Sequence, residues 1–429
     1  MPGSKNKNWK SKIVNPEKVL SKIRPGMSIF LGTAVAEPRT LVKSLMASEA
    51  NNLQDLELIQ LVSLGDAISI GDKYANKFRL KTFFAGWVAS EAIKAGRVDL
   101  IPCRFSRVPS LIESGTIGID AAFVQITPPD EAGYASLGVA VDVARQAMAK
   151  ASLVVGEINA QVPRTFGDTF VHVDDFDFLV EATTPPFYFP RWPVTEVYDK
   201  IGANVASLIQ DGSCLPFSIG PLYEALARHL VRKSNLGIHS PFFTDALMDL
   251  VKSGAVTNRR KSIFKGKSVA AHALGSAELM RWLDNNPLVE FQGVDVVADP
   301  KRIASIDRFV VTLPGRKVDF TGGIVLHSGK GNVGTQPGEA QEFFSGAWLS
   351  NGGKTILALP SRNLLGESNI VPSVRDYPNQ FSARESLDIV VTEYGTAPLA
   401  GRTIRERALA LIDIAHPDDR AELVRLAKK

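Results

Sequence analysis

Residues 236–258 read LGIHSPFFTDALMDLVKSGAVTN, and the run Gly237-Ile238-His239-Ser240-Pro241 has the form of an active-site loop between a strand and a helix. It offers an imidazole, which titrates near about 6.5 and serves as acid or base. It offers no carboxylate, thiol or amine. Glycines cluster in residues 320–346, where Gly329, Gly331 and Gly334 with Lys330 suggest backbone N–H groups and a cation around an anion. No Gly-Lys-Ser/Thr closes that loop, so it is not a Walker motif. Two acids follow it, Glu339 and Glu342. A third loop, Gly32-Thr33-Ala34-Val35-Ala36-Glu37-Pro38, follows a short apolar run. Its small residues let the backbone approach a ligand.

Other sets are weaker. Asp130 and Glu131 are adjacent and need not face one site as a catalytic pair does. Arg164, Asp168 and His172 recur at four-residue spacing in a strand-rich segment. They read as a hydrogen-bonded structural set rather than a metal cluster, whose ligands must converge.

The elements that position these loops alternate. Residues 27–31, 56–62, 120–126 and 151–158 read as strands, and 139–150 carries helical spacing. Strand–helix–strand alternation predicts an α/β protein with mainly parallel sheets covered by helices. Four prolines in residues 183–196 mark a break. The expected domains are 1–190 and 191–429, of like class. After the break, 194–208 and 403–414 read as helices, and 309–313, 354–359 and 387–392 as strands.

Composition sets limits. A chain of 429 residues is long for one core. Net charge is 49 − 45 = +4, without a Lys/Arg run, which argues against nucleic acid as partner. Cys103 and Cys214 form neither a disulfide framework nor a zinc spacing. No apolar run suits a signal or a membrane span, so the expectation is a cytoplasmic protein.

Several segments together resemble the acetyl-CoA hydrolase/transferase family of class I CoA transferases. They are IDAAFVQITPPDEAGYASLGVAVDVARQA, INAQVPRTFGDTFVHVDDFDFLVE, NLGIHSPFFTDALMDLVKSGAVTN and VVTEYGTAPLAGRTIRERALALIDIAHPDDRAEL. The resemblance spans about residues 14–423 and implies two similar CoA-transferase-like α/β domains. It implies acyl-CoA and a small carboxylate as substrates, no permanently bound cofactor and no metal, and a homodimer or homotetramer. It also implies a glutamate that attacks the thioester and then carries CoA. That glutamate follows the Gly-Ile/Val-His-Ser/Thr run, and here the position is Pro241. Further departures lie in the same regions. The family's Gln-x-Gly-Ile-Gly-Gly run is 216–221, PFSIGP; its His before Gly133 is Ala132; and its Ser-Gly-x-Gly-Gly-Gln loop is 328–333, SGKGNV, with extra residues before Phe344.

Three readings follow. In the first, a relocated acid sustains transfer or hydrolysis: Glu339 or Glu342 in the lengthened loop, with Asp245 and Glu37 as alternatives. In the second, His239 acts as base in another acyl-CoA reaction. In the third, the chain binds CoA without turnover. Gly32, Thr33, Ala34, Gly220, Ser240, Gly329, Lys330, Gly331 and Gly334 are the expected CoA or substrate contacts.

Overall fold

The computed structural model describes residues 9–67, 77–84, 89–326, 338–377, 380–381 and 384–428. The chain divides into two compact units, Met1–Phe189 with Ala271–Asp295, and Pro190–Ala270 with Val296–Lys429. The first unit therefore includes a later segment that the sequence reading placed in the second half.

The first unit is built on a seven-stranded sheet. Its strands are β1 (Ser28–Leu31), β2 (Leu56–Gln60), β3 (Phe78–Thr82), β4 (Val98–Leu100), β5 (Ala121–Ile126), β6 (Leu153–Ile158) and β7 (Phe178–Glu181). They lie in the order β7-β6-β5-β1-β2-β3-β4, and every pairing is parallel. All six residues of β5 are buried, which is why it reads as an unbroken apolar run and not as an alternating one. Helix α1 (Arg39–Ala47) lays Leu41, Val42 and Leu45 onto the core that β1 and β2 share. The chain runs outward from β1 to β4, then returns to the other side of β1 at β5. The strand order thus reverses between β1 and β5, and in open parallel sheets ligands bind outside the carboxyl ends of strands at such a point.

One expectation is corrected here. Helix α2 covers only Ala144–Lys150. Residues 139–143 are buried and non-helical, and Ala140 forms an antiparallel bridge to His272 of the strand Ser268–Ala273. Gly138 (φ +69°) and Asp142 (φ +33°) take left-handed backbone that breaks a helix.

The second unit contains β8 (Gly237–Phe243), β9 (Val310–Pro314), β10 (Lys354–Ala358), β11 (Ile389–Thr392) and β12 (Gly395–Pro398). β9, β10 and β11 are parallel neighbours, and β12 turns back antiparallel on β11. Helices α3 (Glu196–Leu208), α4 (Pro221–Leu230), α5 (Asp245–Lys252), α6 (Ala340–Leu349) and α7 (Ile404–Asp413) flank them. A capping box between Thr403 and Glu406 starts α7. The expected polar loop at 237–241 is corrected too. All seven residues of β8 are buried in strand, Pro241 included, and the helix starts only at Asp245. Local polarity misled. The Ser240 hydroxyl donates to the Phe217 and Phe242 carbonyls and accepts from the Phe217 N–H, so the strand hides its polar groups internally.

Candidate functional site

At the carboxyl end of β1 the chain enters a tight turn. A methyl on Gly32 would sit 2.4 Å from the Ala36 carbonyl oxygen, so the turn closes only on glycine. Ala34 follows with φ +50° and is 2% exposed. Side-chain amides from both neighbouring strands hold the turn. Gln60 Nε2 donates to the Gly32 carbonyl at 3.2 Å, and Gln125 Nε2 to the Val35 carbonyl at 3.3 Å. Asn159, beyond β6, donates to Gln125 Oε1 at 2.8 Å.

Glu37 closes the turn from inside. Its carboxylate accepts from Gln60 Nε2 at 2.8 Å and from the Asp66 N–H at 2.6 Å. A side chain at position 65 would overlap that carboxylate, so Gly65 makes its room. Burial pushes the Glu37 carboxyl up to about 7, against the pull of Gln60 and the Asp66 and Ala67 N–H groups. Glu157 on β6 is a second buried acid. It accepts the Thr40 and Leu41 N–H groups at the N-terminus of α1, and burial pushes it up to about 7.

Among the described residues, Gln60 Oε1 and Ser63 Oγ near this turn are buried without a hydrogen-bond partner, and the Thr33 hydroxyl lies close to the Asp142 carboxylate. An orphaned buried polar atom costs about 1–3 kcal/mol. Of the expected contacts, Gly32, Thr33 and Ala34 are brought together here.

In the second unit, His239 is fully buried on β8. Its Nε2 lies 2.8 Å from the Val297 carbonyl, and its ring is packed among Phe264, Phe309 and Phe343. Burial, with Lys261 and Arg302 nearby, pushes it down to about 3. A neutral ring so reluctant to take a proton gives no support to the base role expected of it. Among the described residues, His239 Nδ1 and the Thr244 hydroxyl ahead of α5 have no hydrogen-bond partner. Ser240 is committed to backbone. Gly220 (φ +126°) precedes α4 with open space where a side chain would stand.

Glu339 and Glu342 start α6. Glu342 is fully buried; Glu339 is half-buried and close enough to Tyr223 to help burial push that phenol up. Phe343 packs its ring 6.4 Å from His239, so the first turn of α6 lies beside β8. Gly329, Lys330, Gly331 and Gly334 lie outside the described residues. Beyond β9, β10 and β11, a cavity of about 1080 Å³ is lined by Lys200, Arg316, Lys317, Arg362, Tyr394 and His416 among others.

The remaining sequence sets separate. Arg164 pairs with Asp130 at 2.8 Å, Asp168 with Arg145, and His172 stands against the Ala132 carbonyl. Asp130 also accepts the Ala132 and Tyr134 N–H groups of its own turn. Among the described residues no group of three or more His, Cys, Asp or Glu could hold a metal ion, and no helix is long and apolar enough to cross a membrane. Sequence reasoning missed Gln60, Gln125 and Glu157. Their signal was a polar residue near the carboxyl end of an otherwise apolar strand.

Fold and site thus define an α/β protein with tight turns at the carboxyl ends of parallel strands. Residues 3–187 match the acetyl-CoA hydrolase/transferase N-terminal domain, and 275–427 the C-terminal domain of the same family. The chain is 38% identical over 423 residues to 4-hydroxybutyrate coenzyme A transferase of Clostridium kluyveri, covering 98% of each. It is 34% identical over 431 residues to succinyl-CoA:acetate/propanoyl-CoA:succinate CoA transferase of Fasciola hepatica, covering 100% of this chain and 89% of that one. The crystal structure of RipA from Yersinia pestis superposes with a TM-score of 0.89 at 30% identity, over 98% and 97% of the two chains. That of 4-hydroxybutyrate CoA-transferase from Porphyromonas gingivalis gives 0.80 at 31%, over 98% of each. The chain belongs to the acetyl-CoA hydrolase/transferase family and is an enzyme of the CoA transferase/acyl-CoA hydrolase class.

Proposed function

We propose that this chain breaks an acyl-CoA thioester with a carboxylate supplied by the first turn of α6, Glu342 with Glu339 beside it, in place of the residue lost at Pro241. The observation that carries this reading is Glu342, a fully buried carboxylate directly after the lengthened glycine loop, on a turn that packs beside β8. Its oxygen attacks the thioester carbonyl, the C–S bond breaks, and an acyl-glutamyl anhydride forms with CoA thiolate released. The thiolate then attacks the glutamyl carbonyl of the anhydride, the C–O bond breaks and the original acid leaves as carboxylate, giving an enzyme–CoA thioester; an incoming small acid reverses the two steps, leaving as its own CoA thioester and freeing the glutamate. The relatives' names, which pair CoA with short acids, support a small carboxylate as acceptor. The cavity beyond β9–β11 mixes the acids Glu196 and Glu393 with Lys200, Arg316, Lys317 and Arg362, of which Lys200 and Arg362 are paired with acids; Arg316 and Lys317 are its candidate contacts for phosphates of the CoA tail, whose remote binding drives the strained steps. CoA enters as substrate, with no resident cofactor. A cytoplasmic homodimer or homotetramer completes the reading, and light scattering on the purified protein tests the assembly.

The chemical test incubates the protein with an acyl-CoA panel and labelled acetate, and follows label entering acyl-CoA and free thiol. The wild type is expected to turn thioester over, and the E339Q/E342Q double variant to lose at least about 100-fold. Undiminished turnover in that variant sinks the relocated-acid reading. Pro241, buried in strand, favours a second reading: CoA binding without turnover. Measurable CoA affinity with no thioester loss across the panel would establish it.

A further inference from the structure

Packing within the second unit does not account for three features of the cavity beyond β9, β10 and β11. The first is Arg316. Its backbone N–H donates to the Val325 carbonyl at 2.7 Å, and a methyl on Gly315 before it would stand 2.8 Å from the Leu357 side chain. This close turn sets Arg316 on the cavity wall, exposed and paired with no acid among the described residues. The cations around it are committed: Lys200 to Glu196 at 2.7 Å, Arg362 to Asp419 at 2.7 Å, and Lys317 to the Ser368 carbonyl at 2.8 Å.

The second is Tyr394. His416 meets its ring at 86° with centroids 5.4 Å apart, and the Arg420 guanidinium lies 5.9 Å from its centroid. The ring is held, yet Tyr394 stays 42% exposed on the cavity wall. The third is a hairpin tip at the same cavity, where Leu364 and Leu365 are 106% and 83% exposed. Burying leucine is favourable, so a loop free to choose would turn them inward. This one is braced outward. Asn363 Oδ1 accepts the Leu365 and Glu367 N–H groups at 2.9 Å each, Gly366 turns at φ +80°, and Arg362 and Ser368 close the hairpin with an antiparallel bridge.

An unpaired guanidinium, a held aromatic ring and an apolar lip around one cavity match an anion joined to a flat ring with apolar faces. We propose that this cavity reads the nucleotide end of CoA: Arg316 takes a phosphate, Tyr394 stacks on the adenine base, and Leu364 and Leu365 cover it. The chain therefore draws its acyl groups from CoA itself. It discriminates against the same acyl group on bare pantetheine or on the phosphopantetheine of a carrier protein, which have no base to stack. The proposal rests on the acyl-CoA reading above and sharpens it, since the nucleotide, and not the pantetheine arm, supplies most of the remote binding energy. A fatty carboxylate could also meet Arg316, but it has no flat face for Tyr394.

The test uses the full chain as wild type and as R316Q, Y394A and L364S/L365S, each first checked for wild-type melting. Calorimetry measures the binding of CoA, adenosine 3′,5′-bisphosphate, pantetheine and decanoate. Thiol release measures kcat/KM for acetyl-CoA and acetyl-pantetheine. Adenosine 3′,5′-bisphosphate is expected to bind alone and to compete with CoA, and pantetheine to bind at least about 100-fold more weakly than CoA. Y394A and L364S/L365S are expected to weaken CoA and the bisphosphate about 10–100-fold, and R316Q about 10-fold. The preference for acetyl-CoA over acetyl-pantetheine is expected to fall in step. Equal affinity of wild type for CoA and pantetheine overturns the proposal. So does CoA affinity within threefold of wild type in R316Q or in Y394A, and so does decanoate binding where the bisphosphate does not bind. A wild type that binds the nucleotide through these residues and leaves every thioester intact upholds the proposal and sinks the transfer reading. One that turns over both thioesters equally well does the reverse.

Discussion

The turn after β1 and the end of β8 occupy equivalent places, the carboxyl end of a strand in a parallel arrangement, yet they handle buried charge in opposite ways. At the first, Glu37 and Glu157 are lifted to about 7. At the second, His239 is driven down to about 3. The force is the same in both, since burial disfavours whichever form is charged. What differs is the lining. Amides and backbone N–H groups surround the acids and partly restore the anion, whereas three phenylalanine rings surround the imidazole. The first region is equipped to meet a polar group; the second is a packed scaffold that presents the start of α6.

The contrast breaks most severely at Gly32. Alanine there brings its methyl to within 2.4 Å of the Ala36 carbonyl, and backbone cannot yield as a flexible side chain does. The whole turn must shift. G32A is expected to lose about 2–4 kcal/mol of stability and at least about 100-fold in kcat/KM, read by urea unfolding and thiol release. Wild-type values in both would mean that the turn neither closes tightly nor matters.

His239 gives the next largest effect. Its folded pKa, about 3, lies below the unfolded value of about 6.5, so the folded state binds fewer protons between them. Its stability contribution is fully present above about pH 6.5 and is lost as pH falls toward 3, reaching about 2 kcal/mol by pH 5. H239F removes that loss. It also strands the Val297 carbonyl, which costs about 1 kcal/mol at pH 8. The variant is therefore expected to be less stable than wild type at pH 8 and more stable at pH 5. Parallel curves at the two pH values would show that the ring is accessible to protons.

The acids of the other region tilt the same curve the opposite way. Glu37 has a folded pKa near 7, above the unfolded value of about 4.5. The folded state binds more protons there, so stability is greatest below about pH 4.5, declines to about pH 7 and is flat beyond. Glu157 acts in the same direction. E37Q is expected to remove about half of that decline, roughly 3 kcal/mol. The two windows overlap between about pH 4.5 and 6.5, where the histidine offsets only one of the two acids, so wild type declines gently there and single variants at 37 and 239 shift that slope in opposite directions. Two variants with the same sign would refute the contrast.

Much of the framework was legible because buried parallel strands write continuous apolar runs. β1, β2, β5, β6, β9, β10 and β11 lie within or one residue from the expected stretches. Two misreadings share a cause. At 237–241, Gly, His, Ser and Pro resemble a loop, but Ser240 finds its partners in backbone that is distant in sequence, which no local pattern announces. At 139–143, apolar spacing mimicked a helix, while the left-handed backbone at Asp142 depends on its bridge to Gly293. For the site, the β1 turn was visible through Gly32 and its small neighbours. The acids' altered titration was not, since it follows from burial and from donors on other strands. The pairing of His272 with Asp142, 130 residues apart, has no local signal in the sequence.

The smallest effect tests strain. Ala34 holds φ +50°, while no non-glycine residue from 237 to 244 has positive φ, so strain too is confined to the first region. Left-handed backbone costs a residue with a side chain about 1 kcal/mol. Glycine escapes that cost but loses more entropy on folding and gives up one buried methyl. A34G is expected to gain about 0.5 kcal/mol in stability. Because the amides of Gln60 and Gln125 hold the turn, kcat/KM is expected to stay within twofold. Loss of stability would mean that the buried methyl outweighs the strain. A gain in stability joined to a fall in kcat/KM would mean that the strain itself aims the turn at the substrate.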